Sequence, residues 1–164
     1  MSRMLRLAVV LLAGTGGSAA RAEGPNPACD LLTPAGIAEA AGASVEPDGS
    51  SGDAGAGKCR WRVGEAHLVS ATLVTEAALG VTGGSVLDYF RQAERNFRDS
   101  VPPGETRDLP GIGLRAYLFS TEVNNPDEAV SVTATNGADF ITIDTFGLPE
   151  QVAIDLARQA VARR

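Results

Sequence analysis

The sequence is short of the side chains on which most enzyme chemistry depends. Its 164 residues include one histidine, His67, one lysine, Lys58, one tryptophan and two cysteines, and only 5% of the chain is aromatic. A histidine acting as general base or metal ligand would therefore have to be His67, which lies at a predicted strand start beside a turn. The Gly-x-Ser-x-Gly motif of a hydrolase nucleophile does not occur. These shortages favour a protein without catalysis.

No apolar run approaches the roughly 20 residues that a helix needs to cross a bilayer. Instead, two arginines precede a short apolar stretch, residues 7–13, and a run of small residues ends in Ala20-Arg21-Ala22. These are the three parts of a cleaved secretory signal peptide, which we predict over residues 1–22. We expect residues 23–164 to form a single soluble domain without a transmembrane segment, in the periplasm or outside the cell.

Positive charge is also scarce, because 14 basic residues stand against 20 acidic ones and give a net charge of −6. The predicted signal peptide carries three arginines and no acid, so its removal leaves 11 basic residues and a net charge of −9. A strongly acidic protein repels nucleic acid and anionic lipid surfaces. We therefore expect neither as a partner.

Two glycine motifs resemble nucleotide-binding loops but lack parts that those loops require. In Gly52-x-x-x-x-Gly57-Lys58, the next residue is a cysteine and a strand follows, whereas a P-loop needs Ser or Thr there and then a helix. Gly111-x-Gly113 lacks the third glycine and the helix of a dinucleotide fingerprint. The acidic residues likewise show no calcium-loop spacing. We predict no cofactor and no metal ion.

The two cysteines of this exported chain, Cys29 and Cys59, most simply form one intramolecular disulfide. Closing a loop of this length removes unfolded-state entropy worth roughly 3–4 kcal/mol. The alternative is a reactive or metal-binding thiol pair, which has no histidine or further cysteine nearby in the sequence. We therefore predict a structural role for both residues.

Capping signals and apolar spacing predict three helices. Thr33-Pro34 begins the first, with Thr as N-cap and Pro at the first helical position, and Gly42 ends it. Ser85 is the N-cap of the second, whose apolar residues recur at helical spacing through Arg98. Pro149 begins the third.

Alternating patterns and turn residues predict about five strands, over residues 58–63, 67–75, 114–120, 129–135 and 138–146. Asn136-Gly137 joins the last two and favours a two-residue hairpin turn. Residues 46–57 and 100–113 are rich in turn formers and are predicted loops. The order α-β-β-α-β-β-β-α with short turns indicates an α+β fold, an antiparallel sheet with helices packed on it.

The first predicted strand has a stripe of positive charge on its outward face. Alternation turns Trp61 inward and turns Lys58, Arg60 and Arg62 outward. On an acidic protein this stripe is the candidate binding site for a carboxylate, a phosphate or an acidic patch of a partner. The alternative is a solvated sheet face or an edge protected by charge.

Two short motifs carry a family resemblance. They are Cys29-Asp30-Leu31-Leu32-Thr33-Pro34, which runs into a short helix, and Cys59-Arg60-Trp61, which begins a strand. Together they resemble a family of small secreted or lipid-anchored envelope proteins, widespread in actinobacteria, whose role is unknown. Gly111-Ile112-Gly113 before Ala116-Tyr117 is similar to the Gly-x-Gly that precedes that family's second set of strands. The resemblance implies a bridge between the two cysteines and supplies no catalytic residues. The chain lacks the acylated cysteine of the lipid-anchored members.

Export and the absence of a catalytic motif predict a non-catalytic binding or accessory domain of the periplasm or cell envelope. Its ligand is a protein or a small molecule, and an apolar groove lined by Trp61, Tyr117 and Phe140 would favour the small molecule. One alternative is a small secreted hydrolase that uses His67 with an unidentified nucleophile. Another is an inhibitor or accessory subunit of an exported enzyme. The sequence leaves the oligomeric state open.

Overall fold

The computed structural model describes residues 26–52, 55–80, 84–99, 105–120 and 129–164, and the predicted signal peptide lies outside these ranges. Within them the chain forms four helices and seven strands. The helices are α1 (Pro34–Ala41), α2 (Glu76–Gly80), α3 (Val86–Arg98) and α4 (Glu150–Ala162). The strands are β1 (Val45–Gly52), β2 (Ala56–Val63), β3 (His67–Thr75), β4 (Glu105–Asp108), β5 (Arg115–Ser120), β6 (Ala129–Thr135) and β7 (Asp139–Phe146).

All seven strands belong to one antiparallel sheet with the order β1-β2-β3-β7-β6-β5-β4. The predicted α+β class is confirmed, but the predicted number of about five strands is wrong. The two further strands, β1 and β4, fall in segments predicted as loops and form the two edges of the sheet. No side chain of β1 is buried, so this strand has no alternation between core and solvent that its sequence could show. Pro47 in β1 also fits an edge, where a missing N–H leaves no ladder bond unmade.

The two faces of the sheet carry separate hydrophobic clusters. The larger cluster lies under α1 and α4 and includes Trp61, Ala71, Leu118 and Ile143. The smaller cluster lies under α3, which contacts β6 and β7, and consists of Val86, Phe90, Tyr117 and Phe140 with flanking apolar residues. Helices therefore pack on both faces. None of the described helices is long and apolar enough to cross a membrane.

The helix boundaries follow the capping signals in the sequence. The Thr33 hydroxyl accepts a hydrogen bond from the Gly36 N–H at 3.1 Å, and Gly42 ends α1 with a φ of 67°. The Ser85 hydroxyl accepts from the Asp88 N–H at 3.1 Å at the start of α3. These bonds satisfy N–H groups that have no partner inside a helix. The predicted starts of α1 and α3 are confirmed.

The turn at Asn136-Gly137 is longer than the sequence predicts. The last pair in the register is Thr135 with Phe140, so four residues lie between the paired positions rather than two. The Asn136 side-chain oxygen accepts hydrogen bonds from the backbone N–H groups of Ala138 and Asp139 at 2.9 and 2.8 Å. A side chain that binds the backbone of its own turn supports a wider loop than the two-residue turn.

The predicted disulfide between Cys29 and Cys59 is confirmed, with the two Cα atoms 5.0 Å apart. It fastens the segment before α1 to the middle of β2. Asn26 reinforces the attachment, because its side-chain amide donates to the Ser51 carbonyl at 2.8 Å and to the Lys58 carbonyl at 3.2 Å. The N-terminal segment is thus held to both strands of the β1–β2 hairpin.

Candidate functional site

Strand β2 turns its three basic side chains away from the larger cluster and toward the face on which α3 packs. Cys59, Trp61 and Val63 are buried, whereas the alternate positions are partly or fully exposed. The structure thus brings Lys58, Arg60 and Arg62 together on one surface. The period of two residues in a strand is the cause of this segregation.

The neighbouring strands extend this surface. Arg60 lies opposite Ser70 of β3, which lies opposite Asp144 of β7, and the next row contains Arg62, Leu68 and Phe146. Helix α3 packs at the other end of the same face, against Tyr117 and Phe140. Among the described residues no helix covers the remaining surface, which we call the open half-face; it consists of Lys58, Arg60, Arg62, Leu68, Asp144, Phe146 and the buried Ser70.

Carboxylates balance the positive charge of the open half-face. Arg62 donates to Asp48 Oδ1 at 3.1 Å, and Arg60 Nε lies 3.9 Å from Asp48 Oδ2. Lys58 Nζ lies 3.7 Å from Asp144 Oδ2, and Glu46 is the register partner of Arg62. Three cations therefore face three carboxylates, so the stripe is not a region of uncompensated positive charge.

The contacts of Lys58 and Arg60 are nevertheless longer than those of Arg62. Both ion-pair distances exceed the usual limit of about 3.2 Å for a hydrogen bond. Arg60 makes one long hydrogen bond, from Nη2 to the Asp48 carbonyl at 3.4 Å. In the part of the chain that the structure describes, the Lys58 ammonium makes no hydrogen bond at all. These two cations retain donors for a further anionic group.

The Asp144 carboxylate is held in place by two hydroxyl groups. Ser70 donates to Oδ2 at 3.1 Å from β3, and Ser131 donates to Oδ1 at 2.9 Å from β6. Both donors lie on strands that flank β7, so the carboxylate is fixed on each side. Asp144 therefore has a defined orientation on the open half-face before any ligand arrives.

Two cavities adjoin Lys58 and Arg60, and these two residues line both. One, of about 280 Å³, extends over Gly49, Ser50 and Ser51 of β1. The other, of about 310 Å³, is lined by apolar groups together with the held carboxylate, namely Leu68, Ala129, Phe146, Ser70 and Asp144. Both volumes are close to the lower limit of about 300 Å³ for small-molecule sites.

The apolar groove predicted from Trp61, Tyr117 and Phe140 is not formed. Trp61 belongs to the larger cluster under α1 and α4, whereas Tyr117 and Phe140 belong to the smaller cluster under α3. The sheet separates the two groups, because Tyr117 alternates with Ala116 and Leu118, which face the larger cluster. Trp61 instead lines a cavity of about 300 Å³ beside the disulfide and Pro47.

Tyr117, which was predicted to line a groove, is instead buried under α3. Its ring lies 5.2 Å from that of Phe90 and 5.9 Å from that of Phe97, centroid to centroid. Its hydroxyl makes no hydrogen bond within the described residues. Burial raises the pKa of Tyr117 to about 12. The Thr133 hydroxyl acts against this rise, but the two hydroxyl groups do not meet the geometry of a hydrogen bond.

The structure does not bring His67 together with Ser70, the hydroxyl residue of the open half-face. His67 is the first residue of β3 and lies opposite Val63. It is three positions before Ser70 in the same strand, so the two side chains leave the sheet on opposite faces. Among the described residues, no three His, Cys, Asp or Glu side chains lie close enough together to hold a metal ion.

The two cysteine motifs behind the family resemblance meet in the structure. The disulfide joins Cys29 to Cys59, as the resemblance implies. Gly113 precedes β5 with a φ of 58°, and a Cβ atom there would lie 2.5 Å from the Thr135 carbonyl oxygen, so glycine is required. The family itself stays a prediction. No protein-family model, curated protein or solved structure matches this chain.

Proposed function

We propose that this protein is a non-catalytic binding or accessory protein of the cell envelope or periplasm, and that the open half-face is its binding surface. The disulfide supports an oxidising compartment, since such bridges persist mainly outside the cytoplasm. The predicted signal peptide and the envelope-family resemblance point to the same location.

The observation that carries the proposal is the composition of the open half-face. Lys58 and Arg60 border two cavities, and next to them Leu68 and Phe146 are 41% and 42% exposed. Exposed apolar side chains beside convergent polar groups are typical of binding sites. The rest of the same face is covered by α3 and is filled with aromatic rings.

The test is capture by the immobilised protein of components from an envelope extract of its native host, both proteins and small molecules. We expect a double charge reversal, Arg60→Glu with Arg62→Glu, to abolish capture. The matched control is Arg91→Glu with Arg95→Glu, which changes the charge equally on the exposed surface of α3. Circular dichroism establishes that both variants fold.

Capture that survives the reversal at Arg60 and Arg62 would remove the open half-face as the binding surface. Catalysis is tested in parallel with esterase, peptidase and glycosidase substrates, using the wild-type protein and His67→Ala. We expect no turnover from either. Turnover that disappears in His67→Ala would identify a hydrolase and overturn the non-catalytic assignment.

A further inference from the structure

We propose that the open half-face binds a small anionic amphiphile, with its acid group between Lys58 and Arg60 and its apolar chain on Leu68 and Phe146. This inference deepens the proposed function, on which it rests, by naming the chemical class of the ligand. It requires cationic donors without close anionic partners, an apolar surface next to them, and a site about as long as the ligand. Each is present among the described residues.

The acid group is indicated by the donors of Lys58 and Arg60. Their nearest carboxylate oxygens lie at 3.7 and 3.9 Å, too far for charge-assisted hydrogen bonds, which are about 2.7–2.9 Å long. Ser70 and Ser131 hold the Asp144 carboxylate at this distance from Lys58 through their two hydrogen bonds. A ligand carboxylate above β2 would reach both cations at full hydrogen-bond strength.

The apolar chain is indicated by Leu68 and Phe146, which are cross-strand partners on β3 and β7. Together with Ala129 they form the apolar side of the cavity of about 310 Å³. From Arg60 to Phe146 the register crosses two strand spacings and one two-residue step, a span of about 12 Å. An extended alkyl chain advances about 1.3 Å per carbon–carbon bond, so a fatty acid of about eight carbons, roughly 10 Å long, fits within this span.

The size of the surface favours a small ligand over a protein. The open half-face spans β2, β3 and β7 and three residue rows, about 10 Å by 13 Å from strand geometry. A stable protein complex buries about 800 Å² on each partner. A single amphiphile can fill the available surface, whereas a folded partner would need contacts well beyond it.

The experiment is a calorimetric titration of the full-length protein, purified with its disulfide intact, with octanoate below its micelle concentration. Octanol, which keeps the chain without the charge, and acetate, which keeps the charge without the chain, are the ligand controls. We expect saturable binding of octanoate alone. Lys58→Gln with Arg60→Gln should weaken it about tenfold or more, as should Leu68→Ser with Phe146→Ser.

Matched control variants test the location. Arg91→Gln with Arg95→Gln removes two cations from α3, and Leu114→Ser removes a side chain that is 62% exposed elsewhere. We expect both to bind octanoate like the wild type. Equal binding of octanol, no binding of octanoate, or binding that is insensitive to both open half-face variants would each overturn the amphiphile site.

The outcomes separate this inference from the proposed function. If octanoate does not bind but capture from the extract still depends on Arg60 and Arg62, the ligand class is wrong and the binding surface stands. If octanoate binds at the open half-face and capture does not depend on these arginines, the ligand class stands and the assignment of captured components to this surface is wrong.

Discussion

Lys58 of β2 and Asp144 of β7 form an ion pair across the intervening strand β3, with Nζ 3.7 Å from Oδ2. The pair is partly exposed on both sides, at 44% and 41% of the side chains. Exposed pairs of this length contribute little to the free energy of unfolding. The pair matters for the geometry of the site instead, because both of its residues line the cavity in which Leu68 and Phe146 are exposed.

Removing the Asp48 carboxylate should strengthen anion binding. Asp48→Asn leaves Arg60 and Arg62 without their shared counter-charge, so we expect octanoate affinity to rise about threefold or more. The free energy of unfolding should fall by less than about 1 kcal/mol, because both arginines are 55% exposed. Calorimetry and urea unfolding measure the two effects.

Asp155→Asn is the control for this substitution, since Asp155 pairs with Arg158 on α4. It removes the same charge from the whole protein. If the two variants raise octanoate affinity equally, net charge rather than the contact at Asp48 governs binding.

Loss of the disulfide should destabilise the fold without changing its architecture. The bridge joins two residues that are 30 positions apart in the sequence and so restricts the unfolded chain. Cys29→Ser with Cys59→Ser should therefore lower the free energy of unfolding by about 3–4 kcal/mol. Ala28 and Leu31 are fully buried and keep the segment docked. Urea unfolding with and without dithiothreitol measures the loss, and a change below about 1 kcal/mol would contradict it.

Tyr117 should make stability fall at high pH. Its pKa is raised to about 12 in the folded state, against about 10 when unfolded, so the unfolded chain releases its proton first as pH rises. The stabilisation is therefore complete below pH 10 and is lost between pH 10 and 12, by about 2–3 kcal/mol. Urea unfolding of wild type and Tyr117→Phe across this range should show the loss only in the wild type.

Tyr89→Phe is the control, because Tyr89 is 44% exposed on α3. It should keep the wild-type pH dependence. At neutral pH, Tyr117→Phe should be as stable as the wild type or about 1 kcal/mol more stable, since it removes a buried hydroxyl without a hydrogen bond. A loss of stability at neutral pH would mean that the hydroxyl has a partner.

Phe90 should be the main anchor of α3. It is 1% exposed, and its ring lies 5.2 Å from Tyr117 and 6.4 Å from Phe140. Phe90→Ala should lower the free energy of unfolding by about 3–5 kcal/mol. Tyr89→Ala, which truncates an adjacent but exposed ring, should cost clearly less. Similar losses for the two variants would contradict the packing of α3 on this face.

The sequence predicts the central elements of this fold because their signals are local. Strand β2 alternates between core and solvent, and Thr33 and Ser85 mark helix starts with side chains that bind their own first turn. Strands β1 and β4, which form the two edges of the sheet, carry no such pattern, and β1 has no buried side chain. The five-residue α2 is too short for helical periodicity to show.

The candidate site could be predicted only in part, because some of its contacts join residues that are far apart in the sequence. The outward direction of Lys58, Arg60 and Arg62 follows from one strand. The position of Asp144 beside them depends on the pairing of β3 with β7, in which Ser70 meets a residue 74 positions away. The contact with Asp48 depends on an irregularity between Pro47 and Gly49 in an edge strand that has no sequence signature.

The most direct test of the account is a two-dimensional amide NMR titration of the isotope-labelled protein with octanoate. We predict saturable shifts confined to the open half-face, at residues 58–62, 68–70 and 144–146, with the amides of α4 unchanged. Shifts centred on another surface, such as the loop of residues 109–114, or no saturable shifts at all, would contradict it.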